Sequence, residues 1–258
     1  MKTVVVKIGG SLAIDEAKLL DFTRSIARLP ALGYRVAVVH GGGKDINENI
    51  ALLSEEPRFI EGLRVTTPGI MKMVEMTLSG HVNKKLVRML ESEGAAAIGI
   101  SGVDGKLFEA EKRVGGADLG LVGRISRVNP KIVLDLWNSG WTPVVSPISI
   151  GDGIAWNVNA DTAASELAVA LAADKFLLVS DVPGVLDKQK NLIPKLDESA
   201  VESLIADGTI CGGMIPKVRE SVSALKRGLG EIHIVGWKDA DSLVKQIHGE
   251  INYGTILA

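Results

Sequence analysis

The sequence predicts an α/β protein, a three-layer α/β/α sandwich around a mainly parallel central sheet. Three observations support this fold class. Short apolar runs rich in valine and isoleucine recur along the chain, and they alternate with amphipathic segments of helical period. Within each run the hydrophobicity is continuous. Continuous apolar strands are typical of parallel sheets that helices cover on both faces.

The apolar runs are the predicted strands, and in chain order they read TVVVKI, YRVAVVH, AAIGIS, TPVVSPI, KFLLVS and EIHIVG. Amphipathic helices are predicted between them, at 17–28 and 161–172 among others. The polar segments 105–127 and 187–194 alternate locally, which predicts β-hairpins or surface excursions. Because no linker-like segment is visible, we expect two lobes that share one sheet and not two separable domains.

One predicted helix, from Pro68 to Glu93, is longer than the others. Its apolar residues recur every four positions and form one stripe: Ile70, Val74, Leu78, Val82, Leu86 and Leu90. The stripe is wide enough to face the core on one side and a partner on the other. From the sequence alone, a helix that simply faces the core is an equal alternative.

The composition excludes several classes of protein. A chain of 258 residues, 46% of them apolar, can bury a large core without disulfides. The net charge of −2 leaves no basic excess for binding nucleic acid. The first residues, MKTVVVKIGG, contain neither a signal peptide nor a membrane span. With Cys211 as the sole cysteine, a cytoplasmic location is expected, and a small filler role for this thiol is favoured over a reactive one.

Three glycine-bearing turns follow predicted strands: KIGGS at 7–11, HGGGK at 40–44 and SDVPG at 180–184. The carboxyl ends of parallel strands face the ligand crevice of such folds, where glycine lets backbone N–H groups approach an anion. A P-loop, a Rossmann fingerprint and a G-x-S-x-G nucleophile elbow do not occur. The four histidines lack metal-ligand spacing, so no metal site is predicted on the protein.

Two lysines stand where stability alone would not place them. Lys7 ends a run of valines, and Lys217 lies in the first turn of a predicted helix, where a cation opposes the helix dipole. The segment WNVNAD at 156–161 precedes another predicted helix and contains three polar residues, Asn157, Asn159 and Asp161. Either Asn159 or Asp161 is expected to cap that helix, so capping explains only one of the three. Two cations, the carboxylate of Asp161 and glycine turns together indicate a site for phosphoryl transfer.

These residues resemble the amino acid kinase family, and within it the members that phosphorylate N-acetyl-L-glutamate. The motifs that carry the resemblance span nearly the whole chain, and they are VKIGGS, VVHGGGKDIN, FIEGLRVT, SGHVNKKLV, NVNAD, SDVPGVL and GGMIPKV. The resemblance implies transfer of the ATP γ-phosphoryl group, with Mg²⁺ on the ATP phosphates, to the side-chain carboxylate in an early step of arginine biosynthesis. It also implies an N-terminal lobe at 1–173 for substrate and dimerisation and a C-terminal lobe at 174–258 for ATP.

The resemblance further implies a role for each matching residue. Lys7 and Lys217 would stabilise the transferring phosphoryl group, Asp161 would orient both ammonium groups, and Gly10 would donate a backbone N–H to the phosphoryl group. Substrate would be bound by Gly42, Gly43, Arg64 and Asn157. The nucleotide would lie along Asp181, Val182, Pro183, Gly184, Val185 and Leu186 and along Thr209, Ile210 and Cys211.

Two departures from the family pattern have consequences. Cys211 stands where the family usually has threonine, which puts one contact to the nucleotide in question. The chain begins on its first strand, without the N-terminal helix that links arginine-inhibited members into hexamers. We therefore expect an arginine-insensitive homodimer with the helix from Ile70 to Leu90 at the interface.

Alternatives to this function remain open at the level of sequence. A sister kinase that acts on acylated or carrier-linked α-aminoadipate in lysine biosynthesis would have nearly the same phosphoryl-transfer residues. The run FIEGLRVT fits the glutamate enzymes better, and carbamate or uridylate kinases explain fewer motifs. A catalytically silent member that binds nucleotide or metabolite is the alternative from another class; against it stands the complete set of Lys7, Asp161 and Lys217.

Overall fold

The computed structural model describes residues 1–9, 12, 15–52 and 56–258. Packing divides the chain into two compact units, the first made of residues 1–36 and 164–258 and the second of residues 37–163. The predicted lobes, 1–173 and 174–258, were assigned by ligand and not by packing, so that assignment stays a prediction.

Strands and helices alternate along most of the chain. The strands are β1 (Lys2–Ile8), β2 (Tyr34–His40), β3 (Phe59–Ile60), β4 (Leu63–Arg64), β5 (Ala97–Ser101), β6 (Phe108–Lys112), β7 (Gly123–Val128), β8 (Thr142–Ser146), β9 (Ile148–Gly151), β10 (Ile154–Asn157), β11 (Lys175–Ser180), β12 (Lys195–Leu196), β13 (Glu231–Gly236) and β14 (Thr255–Leu257). The α-helices are α1 (Glu16–Arg28), α2 (Gly43–Ala51), α3 (Pro68–Glu75), α4 (Asn83–Ser92), α5 (Lys131–Asn138), α6 (Ala160–Ala170), α7 (Glu198–Ala206), α8 (Met214–Lys226) and α9 (Ala240–His248).

The first unit is built on a sheet of order β12-β14-β13-β11-β1. Strand β11 is parallel to both β1 and β13, and β14 is antiparallel to β13. The valines at 4, 5 and 6 are fully buried, as expected for a strand covered on both faces. Lys7, next to the end of β1, pairs in register with Leu178 of β11.

The second unit contains the parallel strands β2, β8 and β5, with β8 between the other two. A separate sheet has the order β10-β9-β6-β7, in which β6 and β7 form an antiparallel pair. That pair confirms the hairpin predicted within 105–127. The strands β3 and β4 form a small hairpin of their own.

The long helical stripe is buried within its own chain. Helix α3, a π-helical segment at Met76–Val82 and helix α4 follow one another without a break. Every residue of the stripe is at most 6% exposed. Three of them, Ile70, Val74 and Leu78, pack in one cluster with Ile46 and Ile50 of α2. The stripe therefore faces the core, and any partner would contact the opposite side of the helix.

The predicted α/β fold class with a mainly parallel sheet is confirmed. Each of the six apolar runs forms a strand: β1, β2, β5, β8, β11 and β13. Within the described ranges, no helix is both long and apolar enough to cross a membrane.

Candidate functional site

The second unit contains a small cavity at the carboxyl end of β2. Its volume is about 190 Å³, below the roughly 300 Å³ at which pockets for drug-sized ligands begin. It is lined by Gly41, Gly42, Gly43, Ile46, Phe59, Gly62, Leu63, Arg64, Leu78, Val122, Pro147, Asn157, Val158, Asn159 and Ala160. All the residues predicted to bind substrate, Gly42, Gly43, Arg64 and Asn157, are in this set. The cavity therefore suits a small metabolite.

One wall is the glycine turn between β2 and α2. Gly42 precedes the first residue of α2, and its carbonyl accepts the hydrogen bond of Ile46 N at 2.9 Å. The N–H groups before Ile46 thus have no intrahelical acceptor and carry the positive end of the helix dipole. A Cβ on Gly42 would lie 2.7 Å from Leu78 Cδ2, so this close approach requires glycine.

The hairpin β3–β4 brings Arg64 to the same cavity. Its two-residue turn, Glu61 and Gly62, has positive φ at both positions, the type I′ geometry that matches strand twist. This turn pairs Phe59 with Arg64 across the hairpin, and the guanidinium lies 4.7 Å from the centre of the Phe59 ring. Arg64 Nη2 donates to the carbonyl of Gly43 at 3.2 Å.

The other terminal nitrogen of Arg64 is unsatisfied. Only 7% of the residue is exposed, and Nη1 is buried without a hydrogen-bond acceptor in the part of the chain that the structure describes. Burial lowers the pKa of the guanidinium, because a charge taken out of water loses solvation. A carboxylate in the cavity would offset that loss, since it can accept two parallel N–H bonds from one guanidinium.

Asn157 is held beside Arg64 through Thr66. The amide Nδ2 of Asn157 donates to Thr66 Oγ1 at 3.0 Å, and that hydroxyl donates to the carbonyl of Arg64 at 2.8 Å. The backbone of Asn157 is fixed as well, because its N–H donates to Leu121 O at 2.9 Å. The Asn157 amide is therefore held at a fixed position relative to the backbone of Arg64.

Asn159, rather than Asp161, caps helix α6. Its Oδ1 accepts from the N–H groups of Asp161 at 2.8 Å and of Thr162 at 3.4 Å. Asp161 is half-buried in the first turn of α6, where the helix dipole favours a negative charge. Because Asn159 already caps the helix, capping does not explain why a carboxylate is present at Asp161.

In the first unit, Lys7 lies over a glycine. A Cβ built on Gly9 would be 2.5 Å from Lys7 Nζ, so the absence of a side chain at Gly9 makes room for the ammonium group. Lys7 is half-buried and Gly9 is buried at the end of β1. Gly10, predicted to bind the phosphoryl group, lies outside the described residues.

Lys217 lies near the amino end of α8, as predicted. Helix α8 starts at Met214, directly after Gly213, and Lys217 is its fourth residue. No acidic residue occupies the first turn. Lys217 is half-buried in this first turn, at the positive end of the helix dipole.

The predicted nucleotide residues form two segments of the first unit. Asp181, Val182 and Pro183 are exposed after β11, whereas Gly184 is buried with φ of 152°, and a Cβ there would lie 2.7 Å from Thr255 Oγ1. Thr255 Oγ1 also accepts from Val185 N at 2.8 Å. In this first segment residues 181–183 are thus exposed, whereas Gly184 and Val185 are buried and contact Thr255.

The second segment is similarly divided between exposed and buried residues. Thr209 N donates to Asp207 Oδ1 at 2.9 Å, and Ile210 N donates to Leu204 O at 2.8 Å. Ile210 is buried, so its side chain supports the segment. Cys211 is exposed, so the predicted role of this thiol as a small buried filler is wrong, and the side chain is accessible to a ligand.

Sequence reasoning assigned no role to Phe59 and Thr66, which contact the predicted residues Arg64 and Asn157. Phe59 could have been found, because a two-residue turn at Glu61 and Gly62 puts it opposite Arg64. Thr66 could not, since its partner Asn157 is 91 positions away in the sequence.

A parallel α/β fold with glycine turns and a buried guanidinium in a small cavity is typical of enzymes that bind small anionic metabolites. The chain belongs to the amino acid kinase family, whose model matches residues 2–236. A protein of Campylobacter curvus named acetylglutamate kinase is 42% identical over 99% of this chain and 91% of its own length. A protein of the same name from Campylobacter fetus is 42% identical over 98% of this chain and 90% of its own.

The fold is also that of solved structures. A crystal structure of a Streptococcus mutans UA159 protein superposes with a TM-score of 0.83 at 27% identity. The match covers 99% of this chain and 98% of that one.

Proposed function

We propose that this protein transfers the γ-phosphoryl group of ATP to the side-chain carboxylate of N-acetyl-L-glutamate. The observation that carries the proposal is its similarity, over nearly the whole chain, to two proteins named acetylglutamate kinase. Membership of the amino acid kinase family supports a phosphotransferase reaction. The arginine, asparagine and glycine residues of the cavity in the second unit suit an acylated substrate with carboxylates. The product would be the acyl phosphate N-acetyl-L-glutamyl 5-phosphate, an early intermediate of arginine biosynthesis.

Arg64 is the proposed anchor of the substrate. The unsatisfied Nη1 and the Nη2 that now donates to Gly43 O could together hold the α-carboxylate. Asn157 would hydrogen-bond the acylated amino group or its carbonyl. Gly42 and Gly43 would place backbone N–H groups near the second carboxylate, which is the nucleophile.

The reaction needs charge stabilisation more than proton transfer. A carboxylate oxygen attacks the γ-phosphorus, the new P–O bond forms, and the bond to the leaving ADP oxygen breaks. No base is required, because a glutamate side chain with a pKa of about 4.3 is ionised at neutral pH. Lys7, Lys217 and the N–H of Gly10 would stabilise the negative charge on the transferring group, and Asp161 would orient the two lysines.

ATP would bind along the exposed edges of 181–186 and 209–211. The N-terminus of α8, which has 13 residues and follows Gly212 and Gly213, offers a dipole for phosphates. A Cβ at either glycine would meet nothing within 4 Å, so space is available there. We assign Mg²⁺ to the ATP phosphates, because Mg²⁺ in kinase sites is usually held largely by the substrate phosphates.

The proposal also covers assembly and location. We place the protein in the cytoplasm as a homodimer whose interface includes the helix from Ile70 to Leu90. Because the apolar stripe of that helix is buried in its own chain, the contact surface would be the opposite side, where Met76 is 58% exposed.

A coupled assay for ADP release tests the reaction. We expect ATP-dependent turnover with N-acetyl-L-glutamate and much weaker turnover with N-acetyl-α-aminoadipate, which is one methylene longer. Faster turnover with the aminoadipate compound would favour the lysine-pathway kinase. A wild-type rate no higher than that of Lys217→Ala would favour a catalytically silent binder.

A further inference from the structure

A buried histidine and a buried asparagine lie behind the glycine turn, and the proposed reaction does not use either of them. His40 is the last residue of β2, and Asn83 is the first residue of α4, directly after the π-helical segment. Both are 0% exposed. The ring nitrogen Nδ1 of His40 lies 2.9 Å from the carbonyl oxygen of Gly41, and Nε2 lies 3.1 Å from Asn83 Nδ2.

The other partners of Asn83 determine which way its amide points. Its Oδ1 accepts from Lys84 Nζ at 3.0 Å, and its Nδ2 lies 2.9 Å from Val144 O and 3.3 Å from Ile100 O. An ammonium can only donate and a carbonyl can only accept, so the nitrogen side of the amide must face His40. The amide of Asn83 thus contacts all three strands β2, β5 and β8.

This orientation selects one protonation state of His40. Asn83 Nδ2 donates, so Nε2 must be the acceptor, and the single proton of a neutral imidazole is on Nδ1. From Nδ1 the proton is donated to Gly41 O, the first residue of the glycine turn. Burial lowers the pKa of His40 to about 4, so the ring is neutral under assay conditions near neutral pH.

We propose that His40, held by Asn83 as the Nδ1–H tautomer, is a positioning residue for substrate binding at the glycine turn 41–43. This inference rests on the proposed function. The turn is held from both ends, because His40 donates to Gly41 O and Arg64 donates to Gly43 O. Losing the first bond would let the turn move, and the N–H groups of α2 and the Arg64 guanidinium would lose their alignment.

Two variants separate positioning from packing. His40→Asn keeps an amide donor near the place of Nδ1, whereas His40→Leu keeps much of the volume and removes the donor. We expect His40→Leu to raise the KM for N-acetyl-L-glutamate about fivefold or more, since a lost hydrogen bond at a binding site is worth about 1 kcal/mol or more. His40→Asn should recover most of that loss, and the KM for ATP should change little in both.

His233→Leu is the matched control, because His233 is 1% exposed, belongs to the first unit and does not line the cavity. This variant should leave the KM for N-acetyl-L-glutamate unchanged. Equal KM values for wild type and His40→Leu would overturn the proposal, and so would equal losses in His40→Leu and His40→Asn.

The tautomer can be read without substrate, from the ¹⁵N chemical shifts of the His40 ring in the wild-type protein. A protonated Nδ1 and an unprotonated Nε2 are expected; a proton on Nε2 would overturn the proposal even if the variants fail to fold. A third outcome is that the wild-type protein has the expected tautomer but binds no N-acetyl-L-glutamate in calorimetry. That result would show that the proposed function is wrong, and His40 would then have no role in binding this substrate.

Discussion

Arg64 and Gly43 are joined by a hydrogen bond of 3.2 Å that uses one terminal nitrogen of the guanidinium and leaves the other for a ligand. The bond connects the hairpin β3–β4 to the first residue of α2, so the carboxylate anchor and the glycine turn are positioned by the same contact. This relationship explains why an arginine with a fixed planar fork suits the position better than a lysine.

Arg64→Lys should therefore weaken substrate binding although it keeps the charge. A lysine cannot hold Gly43 O and both oxygens of a carboxylate, so we expect the KM for N-acetyl-L-glutamate to rise about 10- to 100-fold. The expected change in kcat is smaller. Arg124→Lys, at an exposed ion pair with Glu111, is the matched control. An unchanged KM in Arg64→Lys would contradict the proposal that Arg64 binds the substrate α-carboxylate.

Gly9→Ala should separate activity from stability. The added Cβ would lie 2.5 Å from Lys7 Nζ, and the flexible end of the lysine can move away without disturbing the fold. We expect kcat to fall about 10- to 100-fold because the ammonium is displaced. The urea midpoint should change little. Gly80→Ala is the control, since a Cβ there meets nothing within 4 Å. Full activity in Gly9→Ala would contradict the role of Lys7.

Lys217→Ala should reduce kcat by about 100-fold or more with little change in the fold. The reason is that stabilising charge in the transition state is typically worth about 3 kcal/mol or more. Lys226→Ala serves as the control, because it removes a lysine from the last turn of the same helix, where it pairs with Glu198. Similar losses in both variants would point to an effect on helix α8 and not on the reaction.

Stability should fall in mild acid because of His40. Its folded-state pKa of about 4 is below the ordinary 6.5, so the unfolded chain takes up a proton first as the pH is lowered. The stabilisation is complete above the unfolded pKa and is lost as the pH falls toward the folded one. From about pH 7.5 to about pH 5 the loss should be about 2 kcal/mol.

Urea unfolding of wild type and His40→Asn at both pH values isolates this contribution. The asparagine variant does not titrate at position 40, so its stability should be less sensitive to pH by about the same 2 kcal/mol. His233, whose pKa is also lowered by burial, contributes equally to both proteins. Identical pH dependence in the two proteins would mean that His40 is not buried in its neutral form.

Analytical ultracentrifugation tests the proposed dimer. Wild type should sediment as a dimer, and Met76→Asp should dissociate it, since a charge would enter the contact surface. Val114→Asp is the control, at a residue that is 80% exposed and outside that helix. Sedimentation of wild type as a hexamer or a monomer would contradict the proposed dimer.

Much of the fold could be predicted because its signals are local. Continuous apolar runs identified the six strands, and the glycine pair before Lys217 correctly predicted the start of a helix. The stripe from Ile70 to Leu90 was ambiguous, since a buried helix and a helix at an interface share the same period. Only the packing of the chain shows that its apolar face is covered by the protein itself.

The sequence by itself determined which chemical groups are present: cations at the end of a strand and the start of a helix, glycine turns, and an arginine in a hairpin. Tertiary structure alone decided how those groups are used. In the folded protein Nη1 of Arg64 is buried and unsatisfied, and the Lys7 ammonium lies over Gly9. Asn159, and not Asp161, caps its helix. Tertiary structure also brought His40 to Asn83, 43 positions away, and Thr66 to Asn157. The physical reason is that strand and turn preferences act between neighbours, whereas hydrogen-bond partners are set by packing between distant elements.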